Sequence, residues 1–462
     1  MNDVGRIPNL VLTGRFERGA EKTYHHIPFE VPDGADAVRI RLSYNNRISS
    51  DPFLEGGNTL DLGLFDQRGI DTGSPGFRGW SGSVRSDISI GTFQATPPYR
   101  PGPIEPGVWH ALLGLYKVGA DGVDYRLELW FTEGESVVAP ELPPLTLPAV
   151  DRRPPSRSGW LRGDLHCHSL RSDGDSTPAE VMRAAAAQGL DFVGLTDHNS
   201  PAIERSGRTS ADGPFLIPAS EVTTYGGHWN VWGVRNWYEF RQSNRAAIQE
   251  VMAQAVDDGA FVSVNHPKPF GPEWSYGVDL GYEAIEVWNG PWGFLNPISL
   301  AWWDEHLRRG RRVVAVGGSD THRLRGNDSA GWRIPRLGQP TTWLNTRGER
   351  TLEAMLDALR RGDHFLSATP DGPELYLGVH GETVMIEVVA GQGSTLVAIT
   401  DAGAVAAWPI GSEPVEKRMP FPADSTYLRT QVIDQHGNVL ALSNPIWLDE
   451  IEPVSVENGE HR

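Results

Sequence analysis

Two imidazoles stand two residues apart at His166 and His168, in Asp164-Leu165-His166-Cys167-His168-Ser169, and a carboxylate follows at Asp173. On a β-strand, residues i and i+2 face the same side, so both rings can reach one metal ion while Cys167 points the other way. Asp320 and His322 repeat that spacing, and His198, His228 and His266 lie at or near other expected strand ends. Glu221 closes a run that begins near Phe215, and the Gly226-Gly227 turn after it can fold His228 back toward the same mouth. Imidazole and carboxylate donors without a thiolate suit Zn²⁺, Mn²⁺ or Fe²⁺ and are poor for Ca²⁺. One ion needs about three protein ligands and an open position. The nine residues therefore imply two or three divalent ions, with Glu221 the carboxylate best suited to bridge a pair.

The elements that must position these groups follow from residue periodicity. Arg162 to Ser169 reads as a strand, and Leu190–Leu195, Ala260–Val264, Ala284–Trp288 and Arg312–Val316 read as buried strands with polar residues at their C-terminal ends. Thr177-Pro178-Ala179-Glu180 is a capping box with proline at the first helical position, opening an alanine-rich helix that stops at Gly189. Further helices are predicted over Ser243–Asp258, Pro297–Arg309 and Thr351–Arg361. Repeated β-then-α units with polar strand ends describe an α/β barrel whose site lies on its C-terminal face, over residues 160–368. Residues 1–136 alternate apolar and polar positions between turn signals and predict a β-sandwich, and 137–159 form a linker with six prolines. Residues 369–462 return to β patterning, as a small β-sandwich-like domain closing against the barrel.

Bulk properties limit the partners. The chain has 462 residues, 39% of them hydrophobic, and no apolar run long enough to span a bilayer as a helix. A single cysteine excludes an intrachain disulfide framework, and Met1 to Arg6 lacks a secretory pattern, so the expected location is the cytoplasm. A net charge of −18 argues against nucleic acid held through its phosphates. The expected partner is a small-molecule substrate, with no nucleic acid and no membrane; homo-oligomer formation is left open.

Five segments in order resemble the polymerase and histidinol phosphatase (PHP) superfamily: Asp164-Leu165-His166-Cys167-His168-Ser169, Ser172-Asp173-Gly174, Thr196-Asp197-His198-Asn199, Asn265-His266-Pro267 and Gly318-Ser319-Asp320-Thr321-His322. Gly227-His228-Trp229-Asn230, the β-rich N-terminal region and the Leu442-Ser443-Asn444-Pro445 end also resemble the carbaryl-hydrolase-like branch. The resemblance implies a distorted (β/α)7 barrel holding up to three metals. It would place His166, His168, Glu221 and Asp320 around the first ion, Glu221, His228 and His266 around the second, and Asp173, His198 and His322 around the third.

The expected activity is hydrolysis of a small phosphate mono- or diester, by a hydroxide that the cations make available near neutral pH. Carbamate, ester or amide hydrolysis on the same metals and a catalytically silent binding module are the alternatives. Alongside Glu221, Asp197 could orient an imidazole, and Lys268 and Arg323 sit where a cation could meet a phosphate. Trp229, Trp232, Trp274, Trp288 and Trp292 fall near expected strand ends or loops, which raises the question of an aromatic substrate wall.

Overall fold

The computed structural model describes residues 7–134, 137, 142–147, 150, 152–200, 207–208, 213–234, 236–269, 273–325 and 335–450. The alternating N-terminal segments pair into two four-stranded antiparallel sheets. One runs Leu10–Phe16, Val123–Thr132, Ala37–Tyr44, Asp87–Gly91; the other runs Tyr24–Val31, Gly107–Lys117, Thr59–Phe65, Phe77–Gly82. Alternate residues Val38, Ile40 and Leu42 of one sheet are buried in one core with Leu62 and Leu64 of the other, as period-2 patterning requires.

The site rests on seven strands: β1 (Trp160–Cys167), β2 (Phe192–Leu195), β3 (Phe215–Thr224), β4 (Gly227–Trp232), β5 (Phe261–Val264), β6 (Ala284–Asn289) and β7 (Val314–Gly318). They are neighbours in that order within a larger sheet. β1, β2 and β3 are parallel, β4 runs antiparallel to both β3 and β5, and β5, β6 and β7 are parallel. The segment after β7 returns to β1: Asp320 donates its N–H to the His166 carbonyl at 2.7 Å, and His168 donates to Thr321 at 2.9 Å. On its other edge β1 pairs with Thr341–Asn345, and the sheet continues through His364–Ser367 into the C-terminal strands.

This arrangement departs from the expected (β/α)7 barrel. The described residues contain four α-helices, α1 (Pro178–Ala187), α2 (Arg245–Asp257), α3 (Asn296–Arg308) and α4 (Leu352–Arg360). β3 and β4 are joined by the two-residue turn Tyr225-Gly226, with Gly227 at φ 132° opening β4, and a turn that short can only make an antiparallel pair. The result is a sheet-rich α/β architecture in which helices alternate with only some strands. Where helices form, local chemistry explains them. The Thr177 hydroxyl accepts from the Glu180 N–H at 3.2 Å, the Glu180 carboxylate accepts from the Thr177 N–H at 2.9 Å, and Gly189 takes φ 65° just past the end.

The N-terminal sandwich packs directly on the seven strands. Phe65, Phe77, Trp80 and Leu112 share one buried cluster with Trp229, Phe240 and Trp288. Full burial of such side chains contributes about 1.5–3 kcal/mol each, so the sandwich is held against the ring by a core rather than by a tether. Among the described residues no helix is long and apolar enough to cross a membrane.

Candidate metal centre

All nine residues singled out by type and spacing converge at the ends of β1, β2, β3, β4, β5 and β7. Glu221 stands at their centre, 1% exposed. Its Oε2 lies 3.4 Å from His166 Nε2, 3.5 Å from His168 Nε2 and 2.9 Å from His198 Nδ1. Its Oε1 lies 3.1 Å from His228 Nδ1 and 3.3 Å from His266 Nε2. Asp320 Oδ1 approaches His168 Nε2 at 3.0 Å and His166 Nε2 at 3.4 Å, and Asp173 Oδ1 approaches His322 Nε2 at 3.2 Å and His198 Nε2 at 3.7 Å. Three groups have ligand atoms within 4.8 Å of one another: His168, Asp173, His198 and His322; His166, His168 and Asp320; and His198, Glu221 and His228. His266 reaches the cluster through Glu221.

These contacts fit cations better than they fit hydrogen bonds alone. His166 Nε2, Asp173 Oδ1 and Glu221 Oε2 are buried without a hydrogen-bond partner among the described residues. A buried polar atom left in that state costs about 1–3 kcal/mol, more if charged, and divalent ions held in these groups would satisfy them. The carboxylates are ready to hold one. Burial opposes ionisation of Glu221, yet the surrounding His198, His166 and His228 hold it well below the usual range. Asp320 is depressed in the same way against its burial, by His166, His168 and His322. His168 is pushed down to about 3 by burial and by its neighbours His322 and His198, whereas, against their burial, the facing carboxylates raise His166, His198 and His322, which would release their protons on binding a cation.

The backbone is bent to achieve this. Asp320 sits at φ 54° and His266 at φ 29°, left-handed values that cost non-glycine residues of order 1–3 kcal/mol and cluster at functional sites. Hydrogen bonds hold both: Asp320 through the His166 carbonyl, and His266 through its N–H to Glu286 Oε2 at 3.1 Å. Gly318 is required by space, because a Cβ there would lie 2.3 Å from the His166 Cβ.

Several supporting residues escape the sequence reading. Glu286 Oε1 meets His166 Nδ1 at 2.8 Å inside the core, fixing the ring so that Nε2 faces the cluster. Asn265 donates to Glu221 Oε1 at 2.8 Å, and Thr223 Oγ1 pairs with His198 Nδ1 at 2.6 Å. Asp164 accepts from the N–H groups of His166, Ser319 and Gly338 at 3.1, 3.0 and 2.7 Å, tying β1 to the end of β7. The signal for Glu286 was a lone acid inside the apolar run Ala284-Ile285-Glu286-Val287-Trp288.

The other candidates lie elsewhere than expected. Asp197 touches no imidazole; it accepts from the Ser169 N–H and hydroxyl, each at 2.7 Å, and from the Ser172 hydroxyl at 2.8 Å, bracing the loop after β1. Lys268 is buried, with its ammonium donating to Asn296 Oδ1 at 2.9 Å and the Asn289 carbonyl at 3.3 Å, and burial pushes it down to about 8. Arg323 is exposed. Of the five tryptophans, Trp229, Trp232 and Trp288 are buried in the core, and Trp274 and Trp292 pack against it. The wall beside the cluster is built by other residues. A cavity of about 230 Å³ is lined by Ser172, Asp173, His198 and His228 from the metal cluster and its flank, by Tyr225 of the β3–β4 turn, and by Tyr24, Asp61, Trp80 and Tyr116 of the sandwich.

Comparison with known proteins adds limited likenesses. No family model matches the chain. A 5'-3' exoribonuclease of Haemophilus influenzae is 40% identical over 63 residues, which are 13% of this chain and 23% of that protein, so the match spans less than a quarter of the relative's length. A two-domain protein of Bacteroides vulgatus, described as containing a predicted PHP-like metal-dependent phosphoesterase, aligns with 67% of this chain and 100% of its own at 18% identity and a TM-score of 0.39. That score is too low to establish a shared architecture. The carbaryl-hydrolase-like branch finds no support in either likeness.

Proposed function

We propose that this chain is a metal-dependent hydrolase of PHP type that cleaves small phosphate mono- or diesters. The observation that carries the proposal is the convergence of six imidazoles and three carboxylates into one cluster, centred on the two oxygens of Glu221, with Asp173, His198 and His228 lining the adjoining cavity. His166, His168, Glu221 and Asp320 would hold one ion, Glu221, His228 and His266 a second, and Asp173, His198 and His322 a third. When bound, such ions supply Lewis acidity, making water acidic enough to attack near neutral pH and drawing charge from phosphoryl oxygens.

The protein's own part is placement. Glu286 fixes the His166 ring, Thr223 fixes His198, and Asn265 holds Glu221 so that its second oxygen faces the histidines of β1 and β2. Asp197 keeps Ser169 and Ser172 behind the cluster, and Ser172 in turn lies 3.4 Å from His168 Nδ1. The cavity admits a small molecule, and the chain carries a net charge of −18, which opposes binding through nucleic-acid phosphates. The short likeness to an exoribonuclease agrees with phosphoester chemistry as the bond type.

The test is a substrate panel on metal-loaded protein: p-nitrophenyl phosphate, bis-p-nitrophenyl phosphate, and naphthyl carbamates and esters. The proposal expects turnover of the phosphates and its loss in Asp320→Ala with the fold retained. Cleavage of the carbamates or esters alone, or an Asp320→Ala variant that keeps most of its activity, would overturn it.

A further inference from the structure

We infer that the sandwich end of the cavity is a seat for an organic cation, a substituted ammonium group on the substrate, held by Asp61 and the rings of Tyr24, Trp80, Tyr116 and Tyr225. The bond cleaved rests on the phosphoesterase proposal; the seat does not.

Asp61 lies on the strand Thr59–Phe65, is 6% exposed and is one of the residues lining the cavity. Its Oδ2 accepts from the Tyr225 hydroxyl at 2.6 Å. No lysine, arginine or histidine among the described residues pairs with it, and burial with only the tyrosine bond to offset it drives the carboxyl up to about 7. Other buried acids of the fold are satisfied within the chain: Asp164 and Asp197 each accept three hydrogen bonds from N–H or hydroxyl donors, and others have a guanidinium. Asp66, on the same segment, is paired with Arg78 at 2.6 Å and Arg68 at 2.7 Å; Glu239 is paired with Arg241, and Asp304 with Arg429. A buried carboxylate open to a cavity and lacking an internal counter-ion is completed by a cation from outside.

The rings around it favour the same ligand. Tyr24 and Tyr225 stack at 4.7 Å, Tyr116 and Tyr225 at 5.6 Å, and Tyr24 lies 5.8 Å from Trp80. Aromatic rings grouped beside an acid exclude water from it and add the attraction of the ring quadrupole for an ammonium. Lys117, anchored to the carbonyls of Ser49, Asp51 and Leu54, lies over Tyr116 at 5.3 Å and makes no ion pair with Asp61. Gly114 makes room for the group: a Cβ there would lie 2.2 Å from the Tyr225 hydroxyl oxygen, 2.7 Å from Trp80 and 3.2 Å from the Asp61 Cβ. Because Tyr225 belongs to the β3–β4 turn and Asp61 to the sandwich, the seat exists only where the two meet. The substrate class that fits both ends is a phosphate ester of a small amino or quaternary-ammonium alcohol.

The test uses the full chain, loaded with metal, at pH 8. Titration calorimetry compares choline with its uncharged isostere 3,3-dimethylbutan-1-ol. The expected result is a preference for choline of at least about tenfold, abolished in Asp61→Asn and reduced in Tyr116→Leu. Equal binding of the two alcohols, or a preference that survives both substitutions, would overturn the seat. A second arm follows hydrolysis of phosphocholine and 3,3-dimethylbutyl phosphate. Choline preference without cleavage of either ester keeps the seat and removes the phosphoesterase proposal; equal cleavage of both keeps the phosphoesterase and removes the seat.

Discussion

Asp61→Asn should make the ligand-free protein more stable above neutral pH. In the unfolded chain the Asp61 carboxyl titrates near 3.8, whereas burial in the folded protein raises it to about 7. Between those values the folded state holds a proton that the unfolded state has lost, so stability falls as pH rises through that window and levels off above it. Each pKa unit corresponds to about 1.4 kcal/mol, so the accumulated cost at pH 8 is on the order of 4 kcal/mol. Asparagine keeps the shape and leaves an acceptor for the Tyr225 hydroxyl while removing the charge. Urea denaturation of both proteins at pH 4, 6 and 8 should show convergence at the lowest pH and a variant more stable by a few kcal/mol at the highest. A stability difference that is constant across pH, or a variant that is weaker at pH 8, would refute the reasoning. The same cost is what a bound cation would relieve, a trade of stability for recognition of the kind functional sites show.

Three further outcomes follow from the geometry. Glu286→Gln should weaken metal binding by about 10–100-fold, measured by competition with a chromophoric chelator, and unchanged affinity would count against its role in orienting His166. Gly318→Ala should lower metal content, since its Cβ would lie 2.3 Å from the His166 Cβ; a variant with full metal content and activity would contradict that crowding. Asp66→Ala should destabilise the sandwich by about 3–5 kcal/mol in denaturant, because it strands the buried Arg78 guanidinium, and a loss below about 1 kcal/mol would show the pair to be dispensable.

What the sequence disclosed follows the range of each interaction along the chain. The spacing His166-x-His168 and Asp320-x-His322 is a local property of a strand or its end, and periodicity is enough to place both pairs on one side. The capping box at Thr177 and Glu180 and the stop at Gly189 are equally local. Glu286 was invisible as a partner because it meets His166 across 120 positions, and Asp61 meets Tyr225 across 164. The regular alternation expected of the barrel is interrupted at the Tyr225-Gly226 turn. Reading that turn as a way to return His228 to the mouth was compatible with the fold, but its antiparallel consequence for β3 and β4 breaks the repeat of β-then-α units. Lys268 shows the other gap: sequence places a cation two residues from His266 but not the Asn289 and Asn296 contacts that occupy it. Trp229, Trp232 and Trp288 belong to the core with Trp274 and Trp292 packed against it, and the aromatic residues lining the cavity come from the sandwich and from Tyr225, far apart in sequence.

The most direct test of the central claim is hydrolysis of bis-p-nitrophenyl phosphate by chelator-stripped, full-length protein titrated with Mn²⁺. The structure leads us to expect activity that is absent after stripping and saturates at about two to three equivalents. Activity that ignores both stripping and re-addition, or no activity at any metal loading, would contradict the account.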